Sequence, residues 1–312
     1  MSPRIKGFIF GCIAAATYGM NPLFALPLYA ASLTVADVLL LRYVFALFIL
    51  WIMIRWRGRN LRIARRQILP LFGLGLLMGF SSLLLFESYN YMEAGIASTI
   101  LFVYPLMVAL IMALVYHERL TPLTIGCIIT ASIGIAMLYR GDSGATLSLT
   151  GTVLVILSAL SYAIYLVWVN SPSLKRIPTL VLTFYVILFG SLIFIVQQIF
   201  GTGRFTMPPS PLLWGCALAL GLLPTVISLV CTTIAIQNIG STLTAILGAL
   251  EPLTAVFIGC TVFGEDMTLR VAAGLGCIIV AVTLVIAGDN ISAVLLRMRR
   301  LFPSIYRRLH HK

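Results

Sequence analysis

Apolar stretches of roughly 20 residues follow one another along this chain with only short connections, and few folds can accept such a pattern. Read with a window of about 19 residues, ten stretches are long enough to cross a hydrocarbon core about 30 Å thick at about 1.5 Å per residue. They lie roughly at 7–29, 33–54, 68–91, 95–116, 122–139, 151–170, 178–200, 212–236, 240–263 and 269–288. Hydrophobic residues make up 61% of the chain and charged ones 10%, against roughly 45–50% and 25% in a soluble domain. The expected fold is an all-α membrane protein of ten transmembrane helices. Its connections are too short for a soluble domain, so its chemistry belongs inside the bilayer.

Arg4 and Lys6 ahead of an apolar run, with Ala14-Ala15-Ala16 inside it, imitate a signal peptide. The apolar pattern continues past those alanines to about Tyr29, however, and Gly7 to Tyr18 resembles Gly151 to Tyr162. The stretch therefore reads as a span.

A net charge of +12 would point a soluble chain toward nucleic acid. Here its distribution gives a topology, and no nucleic-acid partner is expected. With both termini cytoplasmic, the inner side receives Arg4, Lys6, the arginines from Arg55 to Arg66, Arg119, Lys175, Arg176 and the tail from Arg297 to Lys312. The outer side receives Arg140, Arg204 and Arg270. Such asymmetry fits a multi-pass protein of the cytoplasmic (inner) membrane. The tail, 291–312, interleaves Leu301, Phe302, Ile305, Tyr306 and Leu309 with arginines; it reads either as a segment lying on anionic inner-leaflet lipids or as a disordered basic end that enforces topology. Cys12, Cys127, Cys216, Cys231, Cys260 and Cys277 all fall in apolar stretches without metal-ligand spacing, so neither disulfides nor a metal or other cofactor is expected.

The chain also repeats itself. Pro105 precedes Glu118-Arg119-Leu120-Thr121 as Pro252 precedes Glu265-Asp266-Met267-Thr268, and the two copies stand 147 residues apart. Gly7 matches Gly151, Thr17-Tyr18-Gly19 matches Ser161-Tyr162-Ala163, and Gly95 matches Gly240. Five spans per copy is an odd number, so the second copy must enter the membrane from the opposite side. Residues 1–141 and 142–290 are the expected repeats. The small-residue series Gly126, Thr130, Gly134 and Ala273, Cys277, Ala281 predict close helix contacts, within the chain or across a homodimer.

On these residues the chain resembles the drug/metabolite transporter superfamily, specifically its EamA-type members. The resemblance rests on Leu101-Phe102-Val103-Tyr104-Pro105 leading to Glu118, Glu251-Pro252 leading to Glu265, and the five-plus-five plan. It implies spans one, three, four, six, eight and nine around a central cavity, with five and ten at the periphery, and small metabolites, amino acids or drugs as substrates, usually exported. Fold analogy names no substrate.

Candidate substrate-binding residues follow from what an apolar span tolerates. Glu251 lies near the middle of span nine beside Pro252, whose ring clashes with the carbonyl of Gly248; it reads either as substrate contact or proton carrier, or as a brace for the kink. Arg42 and Glu87 lie at similar depth in spans two and three, where an ion pair is plausible; Arg42 reads as a structural partner or a snorkelling side chain ahead of a substrate contact, and Glu87 faces the cavity if the family plan holds. Asp37 reads as a cap or surface charge. Glu118 and Glu265 read more simply as partners of the following helix N-termini, with Thr121 and Thr268 as caps, than as gates. Tyr18, Asn21, Tyr104, Tyr162, Tyr165 and Thr232 are the preferred polar candidates, ahead of Tyr91, Trp168, Asn170, Thr233 and Gln237. Tyr18 and Tyr162 occupy equivalent repeat positions, and the Asn21-Pro22 and Pro224 steps free the carbonyls of Tyr18 and Leu220.

A carrier for a small, amino acid-like, neutral or apolar solute, working by alternating access, is the expected function. The alternative is an integral-membrane enzyme acting on a lipid or small metabolite. Against the enzyme, His117, His310 and His311 all fall at or beyond the cytoplasmic surface, and no carboxylate pair sits within a span.

Overall fold

Helix is the regular structure throughout residues 2–88, 90–92, 97, 100–117, 121–138, 148–174, 176–200, 205–262 and 268–284, which the computed structural model describes. Seven helical segments among them are long and apolar enough to cross a membrane. The first is α1 (Pro3–Tyr18) continuing into α2 (Asn21–Ala30). Then come α3 (Val35–Trp56) and α4 (Arg65–Ser88), each unbroken. Two shorter apolar helices follow, α5 (Tyr104–Val115) and α6 (Pro122–Leu138). The second half opens with α7 (Leu149–Val169) and α8 (Thr179–Phe200). A composite span joins α9 (Pro211–Gly221), a π-helical segment at Leu222–Ile227 and α10 (Ser228–Ile239). Another joins α11 (Ser241–Leu247) to α12 (Leu250–Val262), and the shorter α13 (Leu269–Leu284) ends the described chain. Glu118, Arg119, Glu265, Gly95, Arg140, Lys175, Arg204 and the tail 291–312, to which sequence-based roles were given, lie outside the described residues.

Small residues decide which helices touch. In α4, Gly75 and Gly79 lie against the backbone of Gly190 in α8, where an added Cβ would stand 2.8–2.9 Å from main-chain atoms of Gly190. On another face α4 meets α7, and Ser158 Oγ donates to the carbonyl of Ser81 at 2.7 Å. α1 lies along α10, with Gly7 against Asn238 and Ile239. Gly151 of α7 packs in turn against Tyr91 and Met92, beyond the end of α4. α6 and α13 meet where a Cβ on Gly134 would stand 2.7 Å from the carbonyl oxygen of Gly274 and 2.9 Å from Cys277. The expected contact between small-residue series is thus within the chain, and it runs through Gly134 and Cys277; Gly126 has open space beside it.

Elsewhere the helix faces turn apolar side chains outward, among them Phe48, Leu106, Ile129, Ile195 and Phe257. In water so much exposed apolar surface would drive association. In a bilayer it is the surface that lipid wets.

Proline, serine and threonine set the helix ends. Thr34 and Asp37 form a capping box at the start of α3: the Thr34 amide donates to Asp37 Oδ2 at 3.1 Å, and the Asp37 amide to Thr34 Oγ1 at 3.2 Å. Asp37 is a cap, as one reading had it, but a fully buried one, and its Oδ1 also accepts from the Thr206 amide. Thr121 and Thr268 cap α6 and α13 through the amides of Thr124 and Val271.

Candidate functional site

Three spans lose their regular helix near one another. α1 stops at Tyr18, and the chain turns through Gly19 and Met20 before Asn21-Pro22 opens α2. A helix cannot run unbroken into proline without losing a hydrogen bond, whereas proline fits its first turn. The same rule acts at Phe102-Val103 before Tyr104-Pro105, and at Gly248-Ala249 before Leu250-Glu251-Pro252. Across the last break the Gly248 carbonyl accepts from the Glu251 amide at 2.9 Å. The Gly248 carbonyl that Pro252 displaces is therefore taken up in a tight turn.

These breaks are in contact. A Cβ on Gly19 would strike the main-chain carbonyl of Glu251, so α1 and α12 meet through glycine. Tyr104, at the head of α5, donates from its hydroxyl to the carbonyl of Ala245 in α11 at 3.3 Å. A Cβ on Gly248 would overlap that same hydroxyl. Tyr104 packs edge-on against Tyr162, ring centres 5.0 Å apart, and Tyr162 stacks on Tyr165 at 6.1 Å.

Between these elements lies a cavity lined by Gly11, Ala14 and Ala15 of α1, Tyr104 of α5, Tyr162 and Leu166 of α7, Thr232 of α10, and Thr244, Ala245, Gly248 and Glu251 of the last broken span. Its free space is about 10 Å³, roughly enough for one water molecule. Glu251 stands in the first turn of α12, within electrostatic reach of the hydroxyls of Tyr18, Tyr104 and Tyr162. A carboxyl with the Tyr104 and Tyr162 phenols and the Thr232 and Thr244 hydroxyls on one small wall can exchange hydrogen bonds with a polar solute.

Of the residues singled out from sequence, Tyr104, Tyr162, Thr232 and Glu251 line this cavity. Tyr18 stands at its edge, and Tyr165 backs Tyr162 with 1% of its surface exposed. Asn21 opens α2 beyond the break, with its Oδ1 buried and without a hydrogen-bond partner among the described residues. Glu87 does not line this cavity. Its carboxylate accepts from Gln197 Nε2 at 2.8 Å and Asn90 Nδ2 at 2.9 Å, tying α4 to α8 away from the cavity. α4 contributes no lining residue, because its small-residue face is spent on α7 and α8.

The expected pair between Arg42 and Glu87 does not form either. Fully buried Arg42 donates instead through Nε to Thr225 Oγ1 and through Nη2 to the Pro224 carbonyl at 3.2 Å. Pro224 does free the Leu220 carbonyl, as its ring predicts, and the Thr225 hydroxyl takes that carbonyl at 2.8 Å. Trp168 fills the space beside Gly73, and Gln237 accepts from Thr179, so these two serve packing. Gly11, Ala14, Ala15, Thr244, Ala245 and Gly248 were not foreseen as lining. The sequence signal for Gly248 was its place four residues before Pro252; the others carry none.

A model of the EamA-like transporter family matches residues 5–140 and, a second time, residues 149–287. A protein known by its crystal structure superposes with a TM-score of 0.78 at 18% identity, over 95% of this chain and 99% of that one, a likeness of fold alone. A search of the curated proteins returned no match. Seven apolar helices long enough to span a bilayer, broken helices around one carboxyl, and two family matches that together cover most of the sequence give one conclusion: this is a multi-pass membrane protein belonging to the EamA-like transporter family.

Proposed function

We propose that the chain carries a small, neutral or zwitterionic solute with an apolar body, such as an amino acid, across the cytoplasmic membrane by alternating access, in the export direction. The observation that carries this reading is the meeting of three broken helices around Glu251 at a small cavity. Paired discontinuous helices with a buried polar group between them are what a midplane binding site requires. Aromatic and small residues dominate the wall, and a phosphorylated substrate would want several cations there.

Helix pairing supports ten spans in two inverted halves, with α5, α6 and α13 crossing together with their flanking residues. Span one packs on span eight as span six packs on span three, while two meets seven, four meets nine and five meets ten. Exchanging the halves maps this set onto itself. With five spans in each half, the relating axis lies in the membrane plane, which is the symmetry by which one conformation converts into its opposite-facing counterpart. The arginine asymmetry supports cytoplasmic termini.

Proteoliposomes holding the purified chain test this with a panel of labelled amino acids and apolar metabolites. Saturable uptake of at least one solute above protein-free vesicles is expected; no uptake across the panel contradicts the reading.

A further inference from the structure

Arg42 is fully buried in α3, and a guanidinium keeps its charge throughout the physiological pH range. Its hydrogen-bond partners, Thr225 Oγ1 and the Pro224 carbonyl, are neutral, as is the Tyr18 hydroxyl beside it. The third nitrogen, Nη1, is buried and has no hydrogen-bond partner among the described residues. No carboxylate among them faces it. Asp37, lower on the same helix, is taken up by Thr34 and Thr206, and Glu87 by Gln197 and Asn90. A buried cation held only by neutral partners favours any anion that reaches it.

That cation does not itself line the cavity; Tyr18 links it to Glu251, which does. The guanidinium carbon of Arg42 lies 5.8 Å from the centre of the Tyr18 ring, and Tyr18 is within electrostatic reach of both Arg42 and Glu251. Tyr18 is the last residue of α1, immediately before the break at which Gly19 touches Glu251. The phenol is therefore near both a cation and a carboxyl, at a joint where the backbone is already interrupted. Thr225 and Pro224 fix two edges of the guanidinium, which presents Nη1 preorganised for a planar oxyanion.

We infer that Arg42 is the carboxylate-binding residue of this transporter, and that its substrates carry a free carboxylate on an apolar body. The inference rests on the transport reading and narrows its substrate class from neutral or zwitterionic solutes to carboxylate-bearing ones. Loss of the Tyr18 ring from the guanidinium face would open the path between this cation and the cavity.

The test compares acids with their amides, which keep the apolar body and lack the charge. The purified chain in lipid nanodiscs is titrated with L-leucine, L-phenylalanine and isovalerate, and with leucinamide and phenylalaninamide. The thermal unfolding midpoint is read, and uptake of the same compounds into proteoliposomes is measured in parallel. The acids are expected to raise the midpoint at concentrations at least tenfold below any effect of the amides. Arg42→Gln should remove that preference and Arg42→Lys should restore part of it, whereas a residue that merely clamps the π-helical segment would leave the acid-to-amide ratio unchanged. Equal effects of acids and amides, no shift with any of the three carboxylates, or an Arg42→Gln chain that keeps the preference would each overturn the assignment. If Arg42→Gln does not fold, the acid-to-amide comparison on the unaltered chain decides alone. Binding of acids without uptake of any compound would contradict the transport reading and leave the Arg42 site standing; uptake of amides in preference to acids would do the reverse.

Discussion

Gly248 and Tyr104 depend on each other. The glycine has an ordinary right-handed backbone (φ −55°), so alanine would cost nothing conformationally there; what excludes it is the Tyr104 hydroxyl in the space its Cβ would take. Tyr104 cannot easily move aside, being 2% exposed and in ring contact with Phe102 and Tyr162. Gly248→Ala should therefore lower stability by about 1–3 kcal/mol, the usual range for overpacking. Adding Tyr104→Phe should recover a large part of that loss in thermal unfolding of the purified protein, and strictly additive effects would refute the coupling. Glu251 makes a functional prediction. Replacing it with glutamine removes the one titratable carboxyl on the cavity wall, so the pH dependence of uptake seen in the parent should flatten; an unchanged profile would exclude a proton-carrying role. Sequence alone exposed Glu251, because a carboxylate beside proline inside an apolar run has few explanations. It did not expose Gly248 as Tyr104's neighbour, because that contact joins the two halves and no local pattern encodes it.

At the scale of single helices, proline positions were the most legible feature. Pro22, Pro105 and Pro252 each stand in the first turn after a break, and Pro224 lies in the π-helical segment. Pro27 and Pro70, by contrast, are accommodated inside α2 and α4. What proline could not reveal is which group satisfies the freed carbonyl. Thr225 does so for Leu220 and hands its own lone pair to Arg42, so one hydroxyl joins α9 to α3. Thr225→Val, similar in shape and without the hydroxyl, should cost about 1–3 kcal/mol in thermal unfolding, with Thr225→Ser close to the parent. That Glu87 does not line the cavity has a related cause. Depth along a span can be counted from sequence, but rotation about the helix axis follows from packing, and the glycine face of α4 turns toward α8. At the seam between α6 and α13, Gly134→Leu should force the helices apart at Gly274 and destabilise by about 1–3 kcal/mol, whereas Gly126→Leu, with open space beside it, should not.

For the whole molecule, the family model matches the chain twice, and the symmetry proposed for the two halves is broken at the cavity. Span one is broken where span six is continuous, and Glu251 stands where the first half has Tyr104. A symmetric scaffold can exchange its two halves between conformations, while an asymmetric centre gives it something to hold. On the proposed cycle, widening this small cavity would separate Tyr104 from Ala245 and Gly248. Counterflow tests this most directly, since vesicles preloaded with unlabelled substrate drive labelled substrate inward only if one site faces each side in turn. The account predicts a transient accumulation of label above its equilibrium level, sharply reduced by Glu251→Gln. Uptake that rises monotonically to equilibrium, with no overshoot at any internal load, would contradict alternating access through this cavity.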